Sequence, residues 1–515
     1  MSEEDADDVD RDPTSSRPRA GDGVEGDSTN GQRETRTDDR DVVADGNGAP
    51  DREQVVADVR AWVTPDADER RQLREIADRL IDRAERAATE RCADADVLQV
   101  GSTARNTWIS GDQDIDIFVR FPPDLDRETL ERYGLEVGHA TLPDGHEEYA
   151  EHPYVKGTVD AFDVDVVPCF RLDSATEIRS AVDRTPFHTR YLQARLDDDL
   201  AADVRVAKQF LTGIGVYGSD LRTRGFSGYL TELLVYEYDG FLPLLEAAAD
   251  WKPPIILDPE DHGRAHETEK ASWDEEVDDA DLPFDDPLIV IDPTDPGRNV
   301  AAVCSRDNVA RFQHYAREFL ATPSADIFVP DQPDPLSESD LLAHVTRRKT
   351  TPVAVRFTAP DLVDDQLYPQ LRKSKHGITQ GLNDRGFDVF RATTVADETA
   401  VVFVELAVSV RPAVERHEGP PIHVRDHATG FYDTYRDDPD AYGPFIEGDR
   451  YVTERDREFT SALAFLESDR LFDVGLGAHV ETALEDGYEV LVGDEITALL
   501  DEFDAELAAY FEPRP

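Results

Sequence analysis

Lysine is the scarcest of the charged residues in this chain. Seven lysines stand among 54 basic residues, while 112 residues are acidic, so the formal charge is −58; there is also a single methionine. The acidity extends over every segment and is not confined to one tail. Acid-rich surfaces keep proteins hydrated and dispersed where salt would otherwise drive association. The composition therefore indicates adaptation to molar salt.

Cysteines and long apolar runs are also rare. Cys92, Cys169 and Cys304 form neither a metal-binding spacing nor an even disulfide set. No apolar run approaches the length of roughly 18 residues that a membrane span requires, and no secretory signal is visible. We therefore expect a protein of the reducing cytoplasm that does not associate with membranes.

The length of 515 residues predicts roughly three or four domains. Residues 1–50 contain no aromatic residue, and we expect a disordered acidic extension there. Apolar residues at helical spacing predict a helix after residue 65 and mostly helical structure over 188–250. The segment 257–286 is acid-rich and broken by prolines, which predicts a surface insertion. A strand-helix-strand pattern over 352–410 predicts an α+β module, and turns are expected to dominate from 412 to a final helix over 495–511.

The pattern that points to chemistry is a Gly101-Ser102 pair followed by Asp114 and Asp116. The pair follows an apolar run and is expected on the turn that leaves a strand. The alternation after it places both carboxylates on one face of the next strand. Two such carboxylates suit a pair of Mg²⁺ ions, since hard cations prefer oxygen ligands, and a small turn lets backbone amides approach a triphosphate.

A third acid lies on another alternating strand, around 160–168. Two-metal nucleotidyl transfer uses a third carboxylate from a neighbouring strand, which also draws the proton from the attacking hydroxyl. Asp163 and Asp165 share a face, so parity cannot choose between them; Asp165 lies deeper in the apolar run. Together these motifs are typical of the polymerase-β-like nucleotidyltransferase superfamily.

Other residues have both a functional and a structural interpretation. Arg105 is close enough to the Gly-Ser turn to reach a phosphate, or is simply solvated. His188 and Tyr217 are each single residues of kinds that more often pack than bind, whereas Lys208 is notable because lysine is so rare. A cluster of positive charge on a predicted helix favours phosphate contact; it consists of Arg372, Lys373 and Lys375.

Longer strings resemble the archaeal, class I CCA-adding enzymes over residues 55–515. They lie at 101–108 (GSTARNTW), 152–155 (HPYV), 165–169 (DVVPC), 180–188 (SAVDRTPFH), 224–230 (RGFSGYL), 292–302 (DPTDPGRNVAA) and 368–374 (YPQLRKS). The extension and the 257–286 insertion lie outside this resemblance. It implies a template-independent enzyme that builds or repairs the 3′ CCA of tRNA from CTP and ATP.

The resemblance also implies roles for matching positions. Asp114, where the family often has Glu, Asp116 and Asp165 would bind Mg²⁺, and Arg298 would help to read the base. The nucleotide, chiefly its triphosphate and ribose, would be held by Ser102, Arg105, His188, Lys208 and Tyr217.

The implied architecture is an α+β multidomain fold that works as a homodimer. It comprises a polymerase-β-like catalytic head with a mixed sheet and helices (51–187), a central helical neck (188–330), and an α+β body and tail (331–515) that grips the acceptor-TΨC arm of tRNA. Two alternatives stay open: another nucleotidyltransferase on the same head, such as a poly(A) polymerase or an oligonucleotide-signal synthase, and a catalytically silent RNA-binding protein.

Overall fold

The computed structural model describes residues 51–149, 151–263, 284–331 and 333–515. The expected disordered extension 1–50 and most of the expected insertion 257–286 lie outside the described residues. The chain divides into two units, Met1–Gly48 and Ala49–Pro515, and all described residues belong to the second unit.

The first domain is built on a five-stranded mixed sheet, as the resemblance implies. The strand order is β1-β2-β5-β4-β3, in which β2 and β5 are parallel and the other neighbours are antiparallel. The elements are α1 (Arg52–Val63), α2 (Ala67–Arg91), β1 (Asp96–Val100), α3 (Gly101–Ala104), β2 (Asp114–Phe121), α4 (Arg127–Thr141), β3 (His146–Tyr149), β4 (Pro153–Val159) and β5 (Phe162–Phe170).

The apolar face of this sheet packs against α2. The Asp66 side chain caps α2, and the Glu69 carboxylate accepts a hydrogen bond from the backbone N–H of Asp66, which closes the capping box and explains why the helix begins there. Leu80 of α2 is buried with Ile115 and Ile117 of β2 in one hydrophobic cluster. The predicted period of two is therefore confirmed, and the acidic residues of β2 are left on the opposite face of the sheet.

The second domain contains more than the expected helices. Its helices are α5 (Thr185–Gln193), α6 (Asp198–Gly213), α7 (Gly228–Glu237), α8 (Phe241–Ala249) and α9 (Arg306–Ala321). A small sheet joins them, in the order β6 (Ile255–Leu257), β7 (Leu288–Asp292) and β8 (Asp295–Asn299). The strands of this sheet were not predicted from the sequence: β6 and β7 are short, and they pair in parallel across the acidic segment.

The last domain contains two sheets, in the orders β10-β11-β9-β15 and β12-β14-β13. Its helices are α10 (Glu338–Arg348), α11 (Asp364–Asp384), α12 (Arg425–Tyr435), α13 (Ala462–Leu466), α14 (Ala478–Asp486) and α15 (Leu500–Phe511). Its strands are β9 (Thr351–Thr358), β10 (Val389–Ala396), β11 (Thr399–Leu406), β12 (Val414–Pro421), β13 (Ala441–Glu447), β14 (Arg450–Asp456) and β15 (Tyr488–Val492).

The α+β expectation for this domain is confirmed, but the expectation of turns after residue 412 is wrong. Most side chains of β12 and β13 are partly or fully exposed, so these strands lack the alternation of apolar and polar residues that marks a half-buried strand. In the part of the chain that the structure describes, no helix combines the length and apolarity needed to cross a bilayer.

Candidate active site

Parallel pairing of β2 and β5 brings the predicted carboxylates together. Asp116 lies opposite Asp165 in the register, and Asp114 lies opposite Asp163. These side chains line a cavity of about 510 Å³, called here the active-site cavity. Its other lining residues are Ser102, Ile109, Asp112, Ile115, Lys156, Lys208, Gln209, Thr212 and Tyr217.

The two candidates for the third acid differ in their surroundings. Asp163 is exposed and accepts a hydrogen bond of 3.0 Å from Thr158 Oγ1. Asp165 is half-buried, and its Oδ1 atom is buried without a hydrogen-bond partner among the described residues. Lys156 Nζ forms an ion pair with this oxygen at 3.6 Å but lies beyond hydrogen-bond distance, so the oxygen can still accept a metal ion, and this contrast supports Asp165.

The carboxylates of this cavity destabilise one another's charge. Burial, together with Asp165 and Asp114, raises the pKa of Asp116 to about 6. Burial and the neighbouring Asp114 also raise the pKa of Asp112 to about 6. A group of mutually repelling carboxylates is stabilised by a bound cation.

The residues therefore fit divalent ions by charge and by donor type. Within the described residues, no set of three or more His, Cys, Asp or Glu side chains is already arranged around one point as a metal site. The fit consequently rests on the shared cavity, the raised pKa values and the Oδ1 atom of Asp165, which accepts no hydrogen bond from the described residues.

The Gly101-Ser102 turn lies directly beside these acids. It forms the single helical turn α3, and Gly101 has a φ of +75°, which favours glycine. A Cβ at residue 101 would lie 1.9 Å from Asp116 Oδ2. Glycine is therefore required both by the backbone conformation and by the close approach of the carboxylate.

Two lysines line the same cavity, which is notable in a chain with only seven. Lys208 was singled out from the sequence, but Lys156 was not. Lys156 Nζ lies 3.6 Å from Asp165 Oδ1, because Lys156 is opposite Asp165 in the β4–β5 register. The scarcity of lysine, combined with the position of Lys156 on the strand before the third acid, could have identified it.

Arg105 does not line the cavity but lies in a buried polar cluster beside it. Its Nε and Nη2 atoms donate to the two oxygens of Glu232 over 2.6 and 3.2 Å, and Nη1 donates to Thr189 over 3.2 Å. Lys208 Nζ lies 3.4 Å from the same Glu232 carboxylate. The solvated interpretation of Arg105 is therefore wrong, since its side chain is only 7% exposed.

His188 and Arg298 meet at one buried carboxylate in the second domain. His188 Nε2 and Arg298 Nη1 lie 2.8 and 2.9 Å from Asp292 Oδ2. Burial alone would raise the pKa of Asp292, but the hydrogen bonds from His188 and Thr294 hold it below its usual range. The ring of His188 also stacks on Tyr229, with centroids 3.8 Å apart. The structure thus pairs His188 with Arg298, and neither lines the active-site cavity.

The three basic residues of the α11 cluster lie in different environments. Arg372 donates a 2.6 Å hydrogen bond to the carbonyl of Leu221, so part of its guanidinium is committed within the protein. Lys373 is exposed, whereas Lys375 is half-buried, and burial lowers the pKa of Lys375. None of the three lines the active-site cavity.

Three protein families match successive parts of the chain. They are described as nucleotidyltransferase domain (residues 74–188), tRNA nucleotidyltransferase, second domain (202–329), and CCA-adding enzyme, C-terminal domain (348–493). The first match contains the five acidic residues of the cavity.

Curated relatives are similar over nearly their whole length. The CCA-adding enzyme of Haloarcula marismortui is 58% identical over 476 residues, which cover 90% of this chain and 98% of that protein. The CCA-adding enzyme of Halorubrum lacusprofundi is 57% identical, with 90% and 100% covered, and that of Methanoregula boonei is 42% identical, with 87% and 93% covered. A solved RNA terminal U-transferase is 15% identical with a TM-score of 0.41 over 54% of this chain and 98% of its own, too weak a likeness to add to these matches.

Proposed function

The chain belongs to the CCA-adding enzymes, and on this basis we propose that it builds and repairs the 3′-terminal CCA of tRNA from CTP and ATP without a template. The observation that carries this proposal is the cavity in which Asp114, Asp116 and Asp165 meet beside Ser102. The salt-adapted composition agrees with the halophilic relatives.

We propose that Asp114, Asp116 and Asp165 hold divalent ions, and that these ions are Mg²⁺. Such ions would lower the pKa of the attacking hydroxyl and neutralise charge on the phosphates. The 3′ hydroxyl of the tRNA forms the new bond to the α-phosphorus, the bond to the bridging oxygen breaks, and pyrophosphate leaves. Asp165 receives the hydroxyl proton, and the candidate atom is its Oδ1, which accepts no hydrogen bond from the described residues and lies 3.6 Å from Lys156 Nζ.

Nucleotide binding is proposed for the residues beside the acids. Ser102, Lys208 and Tyr217 line the cavity and would contact the triphosphate and ribose. Arg105 and His188 would act from the wall behind it, where Glu232 and Asp292 fix their orientation. Arg298 would read the base edge, because its side chain is 34% exposed while one nitrogen is held by Asp292.

Substrate selection tests this assignment directly. The protein is incubated with a tRNA that lacks CCA and with each nucleoside triphosphate separately, then with CTP and ATP together. We expect addition of two C residues with CTP alone and completion of CCA with both. A long homopolymer from a single nucleotide would indicate a poly(A) polymerase-like activity, and products made without tRNA would indicate an oligonucleotide synthase.

Recognition of tRNA is proposed to rest on shape and backbone, since side chains cannot read the deep, narrow major groove of an A-form arm. Arg372, Lys373 and Lys375 would face the acceptor-TΨC arm. We also propose the domain limits 51–187, 188–330 and 331–515, a homodimer, and a cytoplasmic location.

Charge reversal on α11 should weaken tRNA binding selectively. We expect the double variant Lys373→Glu, Lys375→Glu to raise the KM for tRNA and to leave that for CTP nearly unchanged. Surface ionic contacts are worth up to about 1 kcal/mol each, so losing two predicts a rise of up to roughly thirtyfold. Lys349→Glu changes another exposed lysine, at the end of α10, and controls for surface charge. Equal losses toward both substrates would contradict this role.

Stability and activity should both require molar salt. At 1 M salt the Debye length is about 3 Å, so repulsion among the surface acids is largely screened. We expect the melting temperature and the rate of CTP addition to rise from dilute buffer to molar KCl. The same screening weakens attraction to phosphates, so binding of tRNA must then rest on close contacts. A higher melting temperature in dilute buffer would contradict this expectation.

A further inference from the structure

A buried carboxylate outside the predicted site joins three segments of the nucleotide-binding region. Glu232 of α7 is fully buried and accepts hydrogen bonds from Arg105 and from Thr107 Oγ1, the latter over 2.5 Å. Lys208 of α6 lies 3.4 Å from it. We call Glu232, Arg105, Thr107 and Lys208 the Glu232 cluster. Its members come from the two sides of the junction between the first two domains.

The Glu232 cluster contains more basic groups than acidic groups. One carboxylate faces two cations, all of them nearly or fully buried. Burying charged groups costs free energy, and apolar side chains of similar volume would stabilise the fold at least as well. Burial alone would raise the pKa of Glu232, but Arg105 and Lys208 together lower it, so the carboxylate stays ionised. The cluster therefore holds two basic groups against one carboxylate, although burial lowers the pKa of Lys208, and Lys208 lines the active-site cavity.

The cluster also fixes the backbone of residues 101–107. The amide of Thr107 donates to the carbonyl of Ser102 over 3.0 Å, which closes the turn, and the carbonyl of Thr107 accepts from Lys208 Nζ over 3.0 Å. Asn106, just before it, has a φ of +58°, which is uncommon outside glycine, and its carbonyl is held by the buried Arg205 of α6. Strained backbone of this kind persists only where its surroundings determine it.

From these contacts we infer that Glu232 is a positioning residue for nucleotide binding: it holds Thr107, and through it the Ser102 turn, in register with Lys208. The inference rests on the proposed function, because it assumes that Ser102 and Lys208 contact the nucleotide. Glu232 itself touches no substrate in this assignment. Its contribution is to keep the turn of the first domain and the lysine of the second domain at one fixed separation.

Direct CTP binding by the full-length protein in molar KCl, without tRNA, tests this inference. Glu232→Gln should weaken CTP binding roughly tenfold or more, because Thr107 and Lys208 lose the charged partner that holds them together, even though the change leaves more positive charge beside the cavity. Thr107→Val removes the short hydroxyl bond to Glu232 and two longer contacts of 3.4 Å, with the Ser102 carbonyl and Lys208 Nζ, and should weaken CTP binding to a smaller extent. Because both changes remove the contact between Glu232 and the Thr107 hydroxyl, their effects on CTP binding should be less than additive in the double variant.

Two comparisons separate positioning from loss of folding. Glu237→Gln makes the same chemical change on α7 at an exposed position and should bind CTP like the native protein. The affinity of every variant for tRNA should stay close to native. If Glu232→Gln does not fold, Thr107→Val alone decides.

Native CTP affinity in both Glu232→Gln and Thr107→Val, parallel losses of CTP and tRNA affinity, or independent effects in the double variant would each overturn the inference. A native protein that binds no CTP would contradict the proposed function, and the inference with it.

Discussion

Replacing Asp116 or Asp165 by asparagine should abolish incorporation of CTP and of ATP alike. In the proposed mechanism both additions use one set of carboxylates, and each substitution removes a charged oxygen ligand from the proposed metal site. The fold should survive, because mutual repulsion and burial raise the pKa of Asp116 to about 6 and make its ionised form unfavourable. At neutral pH, without divalent ions, Asp116→Asn should therefore melt at the native temperature or above it.

Asp163→Asn is the matched control variant for Asp165→Asn. Asp163 occupies the same face of β5 two residues earlier, but it is exposed and bonded to Thr158. It should keep far more activity than Asp165→Asn in single-turnover addition of CTP to tRNA. Near-native addition by Asp165→Asn, with loss in Asp163→Asn, would show that the third acid is Asp163.

The strands that carry the acids could be predicted because their signal is local. A period of two over a few residues fixes which side chains share a face, and Ile115 and Ile117 are buried as expected. Parity alone could not choose between Asp163 and Asp165. That choice depends on burial and hydrogen-bond partners, which arise only when β5 is placed between β2 and β4.

The surroundings of Arg105 could not be predicted from sequence. Its partner Glu232 lies 127 residues further along the chain, on a helix whose apolar neighbours give no sign of an ion pair. The sheet of β12, β14 and β13 was missed for a different reason. Many of its side chains face solvent, so its formation depends on backbone pairing, for which the sequence has no periodic signal.

Lysine scarcity was more informative than any single motif outside the carboxylates. It identified Lys208; scarcity alone would select all seven lysines, and only its combination with the position of Lys156 on the strand before the third acid points to Lys156. In a chain of charge −58, lysines that persist beside acids are good candidates for function. The scarcity of lysine is weaker evidence that the basic residues of α11 contact tRNA. Arg372 donates a hydrogen bond to Leu221, and of the three residues only Lys373 is exposed.

Arg298→Ala should damage the choice of base more than the chemistry. A guanidinium stays charged and offers several donors in a rigid fork, so it can bond acceptors on the edges of cytosine and adenine. One nitrogen already donates to Asp292, and the partly exposed side chain leaves the others available. Losing a base-specific hydrogen bond costs about 1 to 3 kcal/mol, or roughly tenfold to a hundredfold in discrimination.

The ion pair of Arg298 with Asp292 supplies the competing explanation, in which Arg298 only stabilises the fold. Asp292 keeps His188 and Thr294 as donors when Arg298 is removed, so the variant should remain folded. Arg298→Lys keeps the charge without the fork and should lose discrimination almost as fully as Arg298→Ala. The measurement is kcat/KM for all four nucleotides, on tRNA that ends before the second C and before the final A. A uniform loss across the four, or a lowered melting temperature with unchanged selectivity, would assign Arg298 to stability alone.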